Sequence, residues 1–324
     1  MGFFLATSGT WGLILIAALF APGLAGWALA AVTLGVFAID VIAARAGAAR
    51  EFPAADALLV GLGLAAPVLV AAVVWALAGG TGGVFLALAA IIWLGQVGHP
   101  AAHELIHAKR MLPRALGRTI YAMLGMGHHV SAHLRVHHAH VATPLDPMSA
   151  PLGMGFWAYA PRAWIGGFRA GWRAEARTQR RGAVHPYLVN AAVAGAALAL
   201  AAMAGPGGLL ALVILAAGFQ LQVLQSDYVQ HYGLRRHATA TGFAPATAHH
   251  AWNSGHSGSS ALMLNATRHS DHHITPGRRF DQLDLGAAMP RLPAPLPLMA
   301  ALALVPPLWR RVMDPRARRY SSEP

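Results

Sequence analysis

His103 and His107 stand four residues apart in HELIH, and His133, His137 and His138 share the segment HLRVHH. His231 lies in QHYGL, and His269, His272 and His273 lie in HSDHH. Imidazole binds iron, copper or zinc at neutral pH, whereas a buried imidazole without a metal needs hydrogen-bond partners for its ring nitrogens. Packing is therefore a poor reason for nine of them in four clusters. On a helix, residues four apart share a face, so His103 and His107 can grip one metal region. His133 and His137 repeat that spacing, and His138 is turned by about 100° from His137, which suits a helix lying between two metal centres. His269, His272 and His273 form a further face, and His231 stands alone. One tetrahedral zinc needs far fewer ligands, so two metal ions are the simpler account.

Neighbouring polar residues are read as supports. Glu104 and Asp271 sit inside two of the clusters and are expected to accept an imidazole N–H. Asp227 ends an apolar run, where a carboxylate needs a polar partner, and His256 belongs to Trp252-Asn253-Ser254-Gly255-His256; both are expected beside the ligands. His99, His128, His129, His140, His185, His237, His249 and His250 are expected next to ligands, at an interface or in solvent. HELIH also fits the zinc-protease pattern H-E-x-x-H, in which the glutamate activates water and Asp146 would be a third ligand. Seven further clustered histidines and a position at the end of an apolar span weigh against a protease. A metal transporter would carry its ligands within the spans. Both remain distant alternatives.

The elements that position these residues are apolar. The chain has 324 residues, 56% of them hydrophobic and 11% charged, where a soluble domain carries about a quarter charged. Its lack of cysteine excludes disulfides, Fe–S clusters and thiolate-bound haem, so electrons must arrive from another protein. The formal charge of +12 is not gathered into a nucleic-acid motif, which argues against a nucleic-acid partner. Apolar segments at 9–21, 25–44, 55–79, 84–102, 186–204 and 207–227 predict six transmembrane helices in one domain, 1–324. The first is short and is joined to the second by Ala21-Pro22-Gly23. It has no basic region before it and another span after it, so it is read as mature structure and not a signal peptide. Every Lys and Arg falls in 45–50, 109–181 or 235–319, and the intervening links near 22–24, 79–83 and 205–207 are uncharged. The positive-inside rule then puts both termini and the polar parts, 103–185 and 228–324, in the cytoplasm, with all four histidine clusters. The apolar stretch 292–309 contains several prolines and is expected as an interfacial or packed segment, and Arg-rich 162–181 is expected as an amphipathic helix on anionic lipid, with docking of an acidic partner as the alternative. The expectation is an all-α integral membrane fold whose six helices carry a cytoplasmic helical cap with the histidine-rich site.

Longer matches accompany the histidines: HELIHAKR at 103–110, GHHVSAHLRVHHAHVATPLDP at 127–147, DYVQHYGL at 227–234, WNSGHS at 252–257, NATRHSDHHITPGRRF at 265–280 and PPLWRRVMDP at 306–315. With these segments the chain resembles the integral-membrane alkane hydroxylases, the alkane 1-monooxygenase family, within the membrane fatty-acid desaturase and hydroxylase group. The HYGL segment separates it from the desaturases, which share only the general histidine pattern. The resemblance implies six spans in a bacterial inner membrane and a cytoplasmic di-iron centre. Its ligands would be His103, His107, His133, His137, His138, His231, His269, His272 and His273. It implies O2-dependent hydroxylation of a terminal or otherwise unactivated C–H bond in an alkane or similar hydrophobic substrate that enters from the membrane. Electrons would pass from NAD(P)H through a reductase and a rubredoxin- or ferredoxin-type donor. A fatty-acyl desaturase or lipid hydroxylase with the same di-iron chemistry is the alternative. Two family segments are altered: EHxxGHH has Ala132 for its Glu and Val136 for its Gly, and NYxEHYGL has Asp227 for Asn and Gln230 for Glu.

Overall fold

The structure, a computed structural model, describes residues 2–43, 51–178 and 182–321. Arg45, Arg50, Arg180 and Arg181, which entered the reading of charge asymmetry, lie outside the described residues. Nearly all regular structure among those residues is helical; the exception is a short antiparallel pair, Ala238–Thr239 with Gly242–Phe243. The chain opens with α1 (Gly2–Leu19) and α2 (Pro22–Ile42), an apolar hairpin. It continues through α3 (Ala55–Ala78) and α4 (Gly83–His107), joined by a turn in which Gly80 and Gly82 take φ of 76° and 75°. Glycine tolerates this left-handed backbone, so the two spans can reverse within a few residues.

Beyond α4 the polar half begins with α5 (Met111–Met123), the histidine helix α6 (128–140) and α7 (Phe156–Thr178). Then come α8 (Pro186–Ala202) and α9 (Gly205–His231), followed by the short helices α10 (Ser257–Leu262) and α11 (His269–Ile274). The chain ends in α12 (Leu296–Ala303) and α13 (Pro306–Ser321).

Among the described residues five helices, α1 to α4 and α9, are long and apolar enough to cross a membrane. The expected sixth, α8, is apolar but has 17 residues, about 26 Å at the helical rise of roughly 1.5 Å per residue. The expected first span is longer than its apolar run and begins at Gly2. The fourth runs on to His107 and the last to His231, so these two helices carry histidines directly on the ends of spans. Large apolar side chains such as Trp27, Leu34, Leu64, Trp75 and Leu210 stand exposed on the spanning helices. Their exposure is costly in water and costs nothing in lipid. The stretch 292–309 forms no crossing, because α12 has only eight residues and the helix is broken before Pro306.

Local chain geometry brings the histidine helices together. α5 folds back on α4 and α3, α7 packs across α6 and α9, and α8 packs on α5 and α9. α7 buries Phe156, Tyr159, Ala163, Gly167, Gly171 and Glu175, a three-to-four residue stripe that faces the rest of the protein. Where α5 meets α4 the residue is Gly117, and a Cβ there would come within 2.7 Å of the Ala102 carbonyl oxygen. Gly117→Val is therefore expected to destabilise the protein by about 1–3 kcal/mol through overpacking. Gly195→Val on α8, which meets nothing within 4 Å, should leave stability nearly unchanged. Thermal melts of the two variants in detergent check this.

Candidate metal centre

The nine clustered histidines come from four elements and meet in one place. α4 contributes His103 and His107 from its last turns, α6 contributes His133, His137 and His138, α9 ends on His231, and α11 contributes His269, His272 and His273. They divide into two groups. In the first, His103, His107, His133 and His272 each offer a ring nitrogen within 4.8 Å of the others. His138 joins them, its Nε2 lying 3.2 Å from His107, 2.9 Å from His133 and 3.3 Å from His272. In the second group are His137, His231, His269 and His273, with His269 Nε2 3.0 Å from His231 and 3.1 Å from His273. Seven of the nine are buried; His107 and His138 are half-buried.

The partition differs from helical arithmetic, for a local reason. Residues 133–137 form a π-helical turn in which the His138 N–H reaches the His133 carbonyl five residues back. The wider turn aligns His133 with His138 and directs His137 to the other group, where regular α-helical spacing would pair His133 with His137. A single short helix thereby serves both groups. α11 also divides: His272 faces the first group, while His269 and His273, four apart, face the second.

These donors fit metal ions and fit each other badly without them. His107, His133 and His138 form a triangle of Nε2 atoms with sides of 3.1, 2.9 and 3.2 Å. A neutral imidazole nitrogen either carries a proton or offers a lone pair, so three mutually touching nitrogens cannot alternate. At least one pair opposes two lone pairs or two N–H groups. A cation among three lone pairs removes the conflict, and at metal–nitrogen lengths of about 2.0–2.1 Å it holds neighbouring donors about 2.9–3.4 Å apart. In addition, Nε2 of His103 and Nε2 of His137 are buried without a hydrogen-bond partner among the described residues. Burial, reinforced by the adjacent imidazoles, holds His133, His138, His269, His272 and His273 well below the ordinary histidine value. They are neutral and can donate lone pairs.

Outer contacts orient the rings. Asp146 Oδ2 accepts from His137 Nδ1 at 2.8 Å, and both side chains are wholly buried. Burial opposes the charged form of His137, but this carboxylate outweighs it and raises the imidazole above its ordinary value. Asp146 is itself held by Ser149 Oγ at 2.7 Å and the Met148 N–H at 3.0 Å. His231 Nδ1 donates to the His250 carbonyl at 3.2 Å. Asn253 exchanges two bonds with Ser270, 2.7 and 2.9 Å, and so ties α11 down. Asp146 enters the sequence reading only as a hypothetical protease ligand. The available signal for its role was an aspartate in the polar turn shortly after His137. Its bond to His137, away from His103 and His107, also fails to assemble the H-E-x-x-H protease arrangement.

The expected supporting residues have different fates. Glu104 accepts from the Phe280 N–H at 2.9 Å and lies 3.9 Å from His103 Nδ1. Asp271 is taken by Arg278, at 2.6 and 2.8 Å, and by the Asp284 N–H at 2.8 Å. His256 pairs with Ser254 at 2.8 Å, outside both groups. Asp227 approaches His129 Nδ1 at 4.0 Å. Gln230 spans from Ser226 to the Ala266 carbonyl, 2.9 Å on each side, and so braces the turn before α11. His99 and His129 are buried beneath the first group, His128 packs on Trp164 and His185 on Trp172, and His237 and His249 are exposed.

Comparison with known proteins agrees with this arrangement. The family model for fatty acid desaturases matches residues 73–301. Alkane 1-monooxygenase 1 of Pseudomonas aeruginosa is 35% identical over 275 residues, 78% of this chain and 71% of that protein. Alkane 1-monooxygenase 1 of Alcanivorax borkumensis is 33% identical over 74% of this chain and 62% of its own length. The hydroxylase component of the xylene/toluene monooxygenase of Pseudomonas putida is 33% identical over 68% of this chain and 60% of its own. The chain thus spans roughly three-fifths to seven-tenths of these relatives. If the two groups each hold a metal ion, His272→Ala should lower bound metal and cut activity by more than about a hundredfold, beyond the usual effect of losing an outer contact. His249→Ala, on an exposed ring, should do neither. Metal analysis of the two purified variants beside the unaltered protein checks the assignment.

Proposed function

The chain belongs to the fatty acid desaturase family, in its alkane 1-monooxygenase branch, and from that premise we propose that it is a non-haem di-iron monooxygenase of a cell membrane. It hydroxylates an unactivated, terminal C–H bond of an alkane-like substrate. The observation that carries this reading is the pair of buried imidazole groups gathered at the ends of two membrane helices. His103, His107, His133, His138 and His272 would hold one iron; His137, His231, His269 and His273 would hold the other. Bound there, iron supplies the activation of O2 and the oxidising power needed to attack a C–H bond. The balance is one C–H bond, O2, two electrons and two protons giving one C–OH and one water.

The chain's own residues then have defined work. Neutral imidazoles leave the centre more positive than carboxylate ligands would, and Asp146 offsets part of that charge while fixing the ring of His137. The His250 carbonyl turns Nε2 of His231 inward. Burial of the groups keeps water away from the reacting carbon. A groove of about 500 Å³ between α2, α4, α9 and α12, with Phe37, Ile92, Leu221 and Leu296 on its walls, supports access from the lipid. α8 completes a six-span bundle in this proposal, with both termini and the histidines on the cytoplasmic side of a bacterial inner membrane.

Electrons come from NAD(P)H through a separate reductase and a rubredoxin- or ferredoxin-type carrier, consistent with the absence of cysteine. A second groove, about 410 Å³, runs past half-buried His107 and is lined by Lys109, Arg110, Arg278 and Arg279, which outnumber its acidic residues Asp56 and Glu104. Its charge supports the approach of an acidic carrier. The test is turnover under labelled dioxygen with a reductase, a rubredoxin and NAD(P)H. Incorporation of one labelled oxygen atom into an alcohol is expected. An alkene without label would contradict hydroxylation and favour a desaturase.

A further inference from the structure

On three helices a titratable residue stands one helical turn beyond the metal groups, and on the spans α4 and α9 this turn lies toward the middle of the span. On α4 His107 and His103 are followed by His99; on α6 His133 is preceded by His129; on α9 the step back from His231 is Asp227. These additions converge. The rings of His99 and His129 are 6.0 Å apart, His129 stacks on His133 at 5.5 Å, and Asp227 Oδ2 lies 4.0 Å from His129 Nδ1. His99 Nδ1 is 2.8 Å from the Tyr121 hydroxyl. His99, Tyr121, His129 and Asp227 are all at most 6% exposed.

Asp227 Oδ2 is buried with no hydrogen-bond partner among the described residues. A carboxylate that served only to brace an imidazole would sit at bonding distance, as Asp146 does on His137 at 2.8 Å. The separation from His129 is too long for that. Polar groups also mark the way in: Gln96, three residues before His99, and Gln225 and Ser226, next to Asp227, line the 500 Å³ groove beside the spans. That groove is open at the surface beside Leu34, Phe37 and Leu298. The groove itself stops at Gln96, Gln225 and Ser226, and a hydrocarbon that passed on from there to the metal groups would meet the polar layer about one helical turn, roughly 5 Å, before them.

On the premise of the hydroxylase reading above, we propose that His99, His129 and Asp227 form a substrate subsite. It takes a hydrogen-bond donor, a hydroxyl or an amine, carried on a hydrocarbon within a few carbons of the carbon attacked. The donor bonds to Asp227 Oδ2. A plain alkane leaves that oxygen dry and unpaired, and a site built to bond a polar group discriminates strongly against the analogue that lacks it. A carboxylate substrate is the poorer match, since it brings acceptors and a charge to a buried acceptor. The new hydroxyl is then introduced close to an existing polar group, by the same balance of O2, two electrons and two protons.

The test uses the iron-loaded protein in nanodiscs. Binding of labelled n-octane, the isomeric octanols, octylamine and octanoate is measured first without an electron donor, with empty nanodiscs subtracted. At least one octanol or octylamine should bind more than about a hundredfold tighter than octane and octanoate. Asp227→Leu and His129→Phe should each shrink that ratio to within about tenfold. Octane binding as tightly as every alcohol and the amine to the unaltered protein would overturn the subsite, however the variants behave. Turnover of the bound compounds is then read under labelled dioxygen. Preferred binding of the alcohol without label in any product would overturn the hydroxylase reading and leave the subsite standing.

Discussion

Nine imidazoles crowded into one place, seven of them with ring nitrogens 2.9 to 3.3 Å from another ring, set the constraint that the rest of the structure meets. For His133, His138, His269, His272 and His273 charging is opposed by burial and by the adjacent imidazoles, and leaving the touching rings neutral confronts lone pairs with lone pairs. Shared cations resolve both conflicts, provided that the rings are held in place. The holding is distributed. The ends of two membrane helices fix three of the rings, the π turn of α6 divides three more between the groups, and α11 supplies the last three through its bonds to Asn253. α7 presses on α6 from outside, where Glu175 accepts from Ser131 at 2.8 Å and pairs with Arg135 at 2.9 Å.

The altered positions are understandable in the same terms. Ala132 is buried where α6 meets α7, close to Gly167, and a Cβ on Gly171 would lie 3.0 Å from its backbone nitrogen. A glutamate there would have to displace the crossing. On α9, the resemblance puts Asn and Glu where this chain has Asp227 and Gln230, so a carboxylate stands one turn deeper and an amide takes the place near His231. Gln230 spends its amide on the turn before α11. The deeper Asp227 faces His129 at 4.0 Å.

Much of this was legible because it depends on composition and short-range periodicity. Long apolar runs marked the spanning helices, and HELIH, HLRVHH, QHYGL and HSDHH marked the residues that the fold gathers. Boundaries were less legible: α4 and α9 continue past their apolar runs because their last turns are buried by other protein elements, which hydropathy does not register. The division into two groups was hidden because spacing assumes a regular α-helix and α6 is not one. Asp146 and the His250 carbonyl act through contacts formed only by folding. So do Gly117 and Gly171, whose importance lies in what another helix brings against them. For His99 and His129 the sequence leaves open a place beside the ligands, at an interface or in solvent, because their neighbours come from different helices and nothing local to either residue reports that convergence.

The most direct test of the central claim is metal analysis with Mössbauer spectroscopy on protein purified without oxygen in detergent. Two irons per chain, both responding to O2, are the result that two imidazole groups require. A single zinc that is silent toward O2 would contradict the account, since one tetrahedral ion would leave most of the nine imidazoles without a reason to converge.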